Sequence, residues 1–399
     1  MNQESAPKNG RKTIQILRAL GALGILARVA LAWISWGSND ADIWNGFAER
    51  IAQGGLLHLY AAEPEMNHPP IAGLWSLAAL KAAQMSRLSF SFIFKLPMIA
   101  ADAVVCAILF RIWRGRRGGL WGAAAACLFA WNLDSILISG HHCNTDSVYS
   151  MFCLLSVYLV EARGAHFLAG LALGGAINVK LLPVLLVIPM LGAYRNRSEL
   201  LRFLGGLAVA AVPFAPVLWM AGGSFLKHAV LYKSMIGRWG VNDFLLEASR
   251  HPPFSAVAMA LMNAYRERGS WVVFGAIVLM TLYLRRSGSL DRYSLVACAA
   301  TLFMVLTPGF GLQYTVFPGT LMFAAALFPG ALYGLLAGLF ALFCYWETWH
   351  GDVPMNTSAV YGPRAVGPLF GLLAWATLVV YVWRTLRAPA VFAGAGDRR

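Results

Sequence analysis

PIAGLWSLAALKAAQMSRLSFSFIFKLPMIAADAVVCAILFRIWRGRR, residues 70–117, is the stretch on which the topology of the chain turns. Its second half carries an apolar run over 93–112, long enough to cross a bilayer as a helix. That run ends on Arg111, Arg114, Arg116 and Arg117, and basic residues flanking spans collect on the cytoplasmic side. The first half, Pro70–Met85, is also apolar but has an amphipathic flavour and carries Lys81. Counted as a span, it would put the arginine cluster on the outer face. Read as a helix lying on the outer surface, it leaves the cluster cytoplasmic, and the rest of the chain is threaded on that reading.

The same pattern recurs along the whole sequence. Of 399 residues, 59% are hydrophobic and 13% charged, with a mean hydropathy of +0.61. Soluble domains carry about 25% charged residues, which argues against a conventional water-soluble enzyme. Candidate spans fall at 13–35, 93–112, 119–138, 146–161, 165–179, 181–194, 201–222, 270–284, 292–308, 314–328, 330–347 and 364–385. The reading is an all-α polytopic membrane protein of about 12 transmembrane helices, within a range of 10–13. Threaded this way, the basic clusters around Lys8–Lys12, Arg114–Arg117, Arg195–Arg202, Arg285–Arg292 and Arg384–Arg387 share one side. The net charge of +14 therefore reflects topology rather than nucleic-acid binding.

Residues 1–12 form a cytoplasmic basic tail, 13–387 a single membrane domain and 388–399 a second cytoplasmic tail. The outer side receives two long loops, 36–92 and 223–269. No internal repeat of fixed period is visible. None of the six cysteines forms a CxxC pair, so neither a disulfide framework nor a zinc site is indicated.

Polar clusters that hydropathy does not demand fall on the outer side. Ser38-Asn39-Asp40-Ala41-Asp42 opens the first loop, and Asp40, Trp44, Phe47 and Ile51 follow a helical stripe. This places Asp40 on the inward face and Asp42 with Glu49 on a wetter one. A helix N-cap is the alternative for Asp40, and a solvated charge for Asp42. Asn67-His68-Pro69-Pro70 opens the second surface helix, its prolines suited to a helix start; His68 is either a loop residue or a donor into the cavity. Gly140-His141-His142-Cys143-Asn144-Thr145-Asp146 sits where a span meets water; a polar substrate-lining corner is favoured over a metal site, and no metal is assigned. Lys180 divides two apolar stretches and either snorkels or faces an anionic ligand. Arg238, beside Trp239, is a further phosphate-contact candidate, and Gln313-Tyr314 suits a cavity wall. Asp102 lies in mid-span and is assigned a hydrogen-bonding role within the bundle; it is the one clearly mid-span charge in this reading.

The order of these features resembles the GT-C superfamily, integral-membrane glycosyltransferases that use polyprenyl-phosphate-linked sugars. The motifs that carry the likeness are Gly37-Ser38-Asn39-Asp40, Asn67-His68-Pro69-Pro70 and His142-Cys143-Asn144-Thr145-Asp146, with Gly237-Arg238-Trp239-Gly240 and Gly311-Leu312-Gln313-Tyr314 similar to bacterial members. The likeness extends over about residues 10–195 and is looser beyond. More distantly the chain is similar to the dolichyl-phosphate-glucose-dependent glucosyltransferases, in which an aspartate opening the first surface helix is the catalytic base. Asp40 matches that position, Pro69-Pro70 match the opening of the second surface helix, and His141 matches the histidine at the hairpin tip.

The resemblance implies a GT-C fold with two surface helices in the first outer loop, and inverting transfer of a glucose- or mannose-type hexose from a polyprenyl phosphate to an acceptor hydroxyl on a lipid-linked glycan or envelope polysaccharide. It implies Asp40 as base with Asp42 in reserve, and Lys180, His141, His68 and Arg238 at the donor phosphate. Asn67, His142, Asn144, Asp146, Gln313 and Tyr314 would line the cavity. It implies no cofactor, and residence in the bacterial inner membrane with both termini cytoplasmic and the site on the periplasmic face. The competing reading is a lipid or solute transporter or flippase with a polar cavity, which expects paired charges at span centres and an internal repeat.

Overall fold

Apolar runs that must satisfy their backbone N–H and C=O groups without water do so as helices, and among the described residues no strand occurs. The computed structural model describes residues 8–233, 239–287, 291–349 and 366–387. The helices are α1 (Lys8–Ile34), α2 (Asn39–Gly54), α3 (Leu56–Ala62), α4 (Pro70–Ser86), α5 (Phe90–Arg117), α6 (Gly119–Ala130) and α7 (Leu133–Leu137). A π-helical turn, Ile138–His142, precedes α8 (Asp146–Arg163) and α9 (His166–Val179). A 3-10 turn, Leu182–Leu186, then leads into α10 (Val187–Ala193), α11 (Arg197–Ala210), α12 (Phe214–Phe225), α13 (Gly240–Ser249), α14 (Ser255–Ser287) and α15 (Arg292–Leu306). After a second 3-10 turn, Leu312–Thr315, come α16 (Val316–Ala325), α17 (Leu327–Trp349) and α18 (Val366–Arg387).

Among the described residues, α1, α5, α14, α17 and α18 are long and apolar enough to cross a membrane. Two bent pairs raise the number to seven: α6 with 133–142, bent by 47°, and α11 with 214–230, bent by 66°. The chain is therefore a helical membrane protein with five to seven such helices. The remaining segments of the twelve-span reading are helical but fall short of this test. At 1.5 Å per residue the 14-residue α9 reaches about 21 Å, against a hydrocarbon core of about 30 Å. The 18-residue α8 carries Asp146, Glu161 and Arg163. Helix α14 begins at Ser255, well inside the stretch read from sequence as the outer loop 223–269.

The chain order of contacts separates two ends of the bundle. Lys95 near the start of α5 donates to the carbonyl of Ser35 at 2.8 Å and that of Trp36 at 3.1 Å, just beyond α1. Residues 36–90 therefore leave and rejoin the bundle at one end, so α4 is an excursion and not a crossing. Lys95 is a buried cation in a candidate span that hydropathy alone passes over; the carbonyls left over at the α1 terminus give it acceptors. At the opposite end, Arg292 pairs with Glu161 at 2.7 Å and Arg116 with Asp291 at 3.5 Å. The basic connections after α5, α8 and α14 thus gather on one side, as the threading expects.

Packing is closest where side chains vanish. A Cβ on Gly170 of α9 would lie 1.9 Å from the Phe203 carbonyl oxygen, and one on Gly206 of α11 2.0 Å from that of Phe167. Paired small residues let these two helix backbones meet directly, a packing mode suited to apolar surroundings.

Candidate active site

Helix α2 starts because Ser38 caps it: the serine is extended and its Oγ accepts the Asp40 N–H at 3.3 Å. The cap is therefore Ser38, and the N-cap alternative for Asp40 does not apply; its carboxylate is available for other contacts. The predicted stripe is present, with Trp44, Phe47 and Ile51 buried and Asp42 and Glu49 exposed. Asp42 accepts from the Trp36 indole N–H at 2.9 Å on the exposed side.

The turn after α7 is brought onto this helix. Ser38 Oγ donates to the His142 carbonyl at 2.7 Å. Gly37, at φ +124°, lets the chain pass the turn, since a Cβ there would lie 2.9 Å from the His141 carbonyl oxygen. The π-helical turn ends at Cys143, a buried residue at φ +69°. Such turns and left-handed residues occur at functional sites because they re-aim side chains. Here they aim two at Asp40. Asn144 Nδ2 donates to Asp40 Oδ2, and His142 Nε2 lies 3.2 Å from the same oxygen. Both contacts fall on Oδ2, so Oδ1 is the oxygen left for a ligand. Burial raises the Asp40 pKa, but the contacts from His142 and Asn144 and the charge of Lys180 lower it by more, to below the ordinary 3.8.

Lys180 follows α9 in an extended conformation. Its ammonium donates to both Asp146 oxygens at 3.0 Å and lies 4.6 Å from the centre of the Tyr314 ring. Tyr149 donates to Asp146 at 2.9 Å. Asp146 is 0% exposed and Lys180 12%. Asp146 therefore does not line an open cavity, as read from sequence; it acts on the site by holding the lysine. Nor does the lysine snorkel: it is held where it still lowers the Asp40 pKa.

The second surface helix closes the group from the other side. The His68 ring packs against Trp44 at 4.5 Å, and its carbonyl accepts from Tyr60 at 2.7 Å. Burial, then the nearby Lys180 charge, push the His68 pKa down to about 3, so the ring is neutral and offers one N–H. Asn67 is half-buried beside it.

Other residues read from sequence are placed differently. His141 is 2% exposed, edge-on to Tyr345 at 4.6 Å; its neighbour His142, assigned to the cavity wall, is the one that reaches Asp40. Both histidines are buried, not at a water boundary, because the π-helical turn folds them under α17. Tyr314 lies beneath Lys180, and Gln313 beside it is half-buried over Gly311. Arg238 lies outside the described residues. Among the described residues, no three His, Cys, Asp or Glu side chains are grouped to hold a metal ion.

Two features escaped sequence reading. Tyr345 places its hydroxyl 2.6 Å from His142 Nδ1 across 203 residues of chain, and nothing local marks it. Arg28, inside the first apolar run, pairs with Asp102 at 2.9 Å. Asp102 is thus not the sole mid-span charge. The guanidinium also donates to the carbonyls of Gly24, Phe129 and Ala130 and to Ser135, whose hydroxyl donates to Asp102 at 2.7 Å. An arginine has five donors, and all five are engaged here. The arginine inside an apolar run was visible in the sequence; its pairing was not.

No family model matches the chain, and no curated protein matches it.

Proposed function

We propose that the chain is a GT-C-type inverting glycosyltransferase, with Asp40 as the base that deprotonates an acceptor hydroxyl. The observation that supports this most is the one-sided engagement of Asp40: Asn144 donates to Oδ2, His142 Nε2 lies 3.2 Å from the same oxygen, and Oδ1 is left to accept a proton. In the proposed step the acceptor oxygen attacks the anomeric carbon and its proton passes to Oδ1. The bond from that carbon to the phosphate oxygen breaks, and the electron pair leaves with the polyprenyl phosphate.

A phosphate leaving group is stable as an anion, so it asks for positive or hydrogen-bonding groups rather than a general acid. Lys180 is the lysine whose charge reaches Asp40, with the neutral His68 as an N–H donor. Buried His141 acts only through its neighbours. In this reading the site sits at the end of the bundle, where a lipid phosphate would lie. That end is assigned to the periplasmic face of the bacterial inner membrane, with both termini cytoplasmic. The transporter reading gains nothing from the mid-bundle Arg28–Asp102 pair, because that pair is sealed rather than set on a water path.

The test is consumption of radiolabelled polyprenyl-phosphate glucose and mannose by the purified chain in nanodiscs, with crude envelope lipids as acceptor. Transfer with inversion by the wild type, lost in Asp40→Asn, is the expected result. Consumption of neither donor under any acceptor would overturn the reading.

A further inference from the structure

Tyr345 and His142 make the longest-range contact to the Asp40 group, and it carries an inference about how the base is held. The Tyr345 hydroxyl is 2.6 Å from Nδ1 of His142, and the opposite ring nitrogen, Nε2, is 3.2 Å from Asp40 Oδ2. The tyrosine is 4% exposed and the histidine 6%. Tyr345 is also wedged against His141, ring centres 4.6 Å apart and edge to face, which restricts where its hydroxyl can point.

An ionised carboxylate accepts hydrogen bonds and donates none, so the Nε2 contact is attractive only with a proton on Nε2. A neutral imidazole then has a bare Nδ1, and the hydroxyl 2.6 Å away is the donor that meets it. We propose that Tyr345 is a positioning residue that fixes His142 as the Nε2–H tautomer, and so sets that N–H beside Asp40 Oδ2, on the side away from Oδ1. Among the described residues, the charged and titratable groups around the ring include Asp40 from α2, His141 and Cys143 on either side and Tyr345 from α17, with Lys180 beyond Asp40 and Lys95 beyond His141. The consequence for turnover rests on the glycosyl-transfer reading; the tautomer does not.

The experiment is ¹⁵N NMR of the full chain in lipid bilayers at neutral pH, labelled at histidine, with the His142 signals assigned by their loss in His142→Gln. The expected wild-type ring is protonated on Nε2 and bare on Nδ1. Tyr345→Phe keeps the ring packing and removes one hydroxyl; it should bring in the Nδ1–H form and lower kcat about tenfold, the size of one neutral hydrogen bond, with KM within about twofold. A wild-type ring protonated on Nδ1, neutral or charged, overturns the proposal without any variant. So does an unchanged ring in Tyr345→Phe. A tautomer change in a protein that consumes neither sugar donor would uphold the positioning role and remove the transfer reading instead.

Discussion

The molecule holds two aspartate centres that share a residue type and differ in their surroundings. Asp102 in mid-bundle is 1% exposed, faces a 0% exposed Arg28, and leaves that guanidinium no free donor. Asp40 at the bundle end is 19% exposed, is held through one oxygen only, and has a lysine close by that is itself steadied by Asp146. A charge network with every valence filled has no capacity to bind anything, and its removal unfolds structure. A network with an open oxygen and a nearby cation is arranged for a ligand. The difference separates fold from function here more sharply than residue type does.

The largest expected effect lies in the open centre. Asp40→Asn removes the base while keeping the Asn144 contact geometry, and should cut donor turnover about 10³-fold, within the range for general-base catalysis. Its thermal midpoint in detergent should stay near wild type. The closed centre should answer in the opposite way. Asp102→Ala strands Arg28 as a buried unpaired cation, a class of change that costs about 3–5 kcal/mol, read as a large drop in unfolding midpoint.

Lys180→Gln comes next. Losing a charge-assisted contact of about 1.5–3 kcal/mol should raise the KM for the lipid-phosphate donor roughly 10- to 100-fold. A KM left unchanged would make Lys180 a structural partner of Asp146 alone.

A smaller effect is read from pH at Asp40. The Asp40 pKa is lowered in the folded protein, so its charged form is present above that value and lost as pH falls through it. The acid limb of kcat/KM should therefore lie below 3.8, the ordinary value. Asn144→Ala removes one of the groups that lower it, and the limb should move to higher pH. The smallest effect is expected at Asp42: Asp42→Asn changes an exposed side chain, and surface substitutions shift energies by about 0.5 kcal/mol or less, about twofold in rate.

Much of the fold was legible because hydropathy and capping are local. Most helix positions, the excursion of Pro70–Met85, the gathering of basic connections and the inward face of Asp40 follow from spacing and charge, whereas α13 and the start of α14 fall in the stretch read as the loop 223–269. What was not legible depends on distance in sequence. Arg28 meets Asp102 across 74 residues and Tyr345 meets His142 across 203, and no local pattern encodes either pairing. The exchange of roles between His141 and His142 has a geometric cause as well: the π-helical turn, which regular helical periodicity does not describe, rotates the second histidine onto Asp40. The bends between α6 and α7 and between α11 and α12 likewise break runs that hydropathy reads as continuous.

The contrast is tested most directly by measuring unfolding midpoint and polyprenyl-phosphate-hexose turnover on Asp40→Asn and Asp102→Ala prepared side by side. The expected result is a folded, inactive Asp40 variant and an Asp102 variant whose midpoint falls steeply while any folded fraction still turns over donor. A stable Asp102→Ala protein that has lost turnover, beside an Asp40→Asn protein that retains it, would contradict the account.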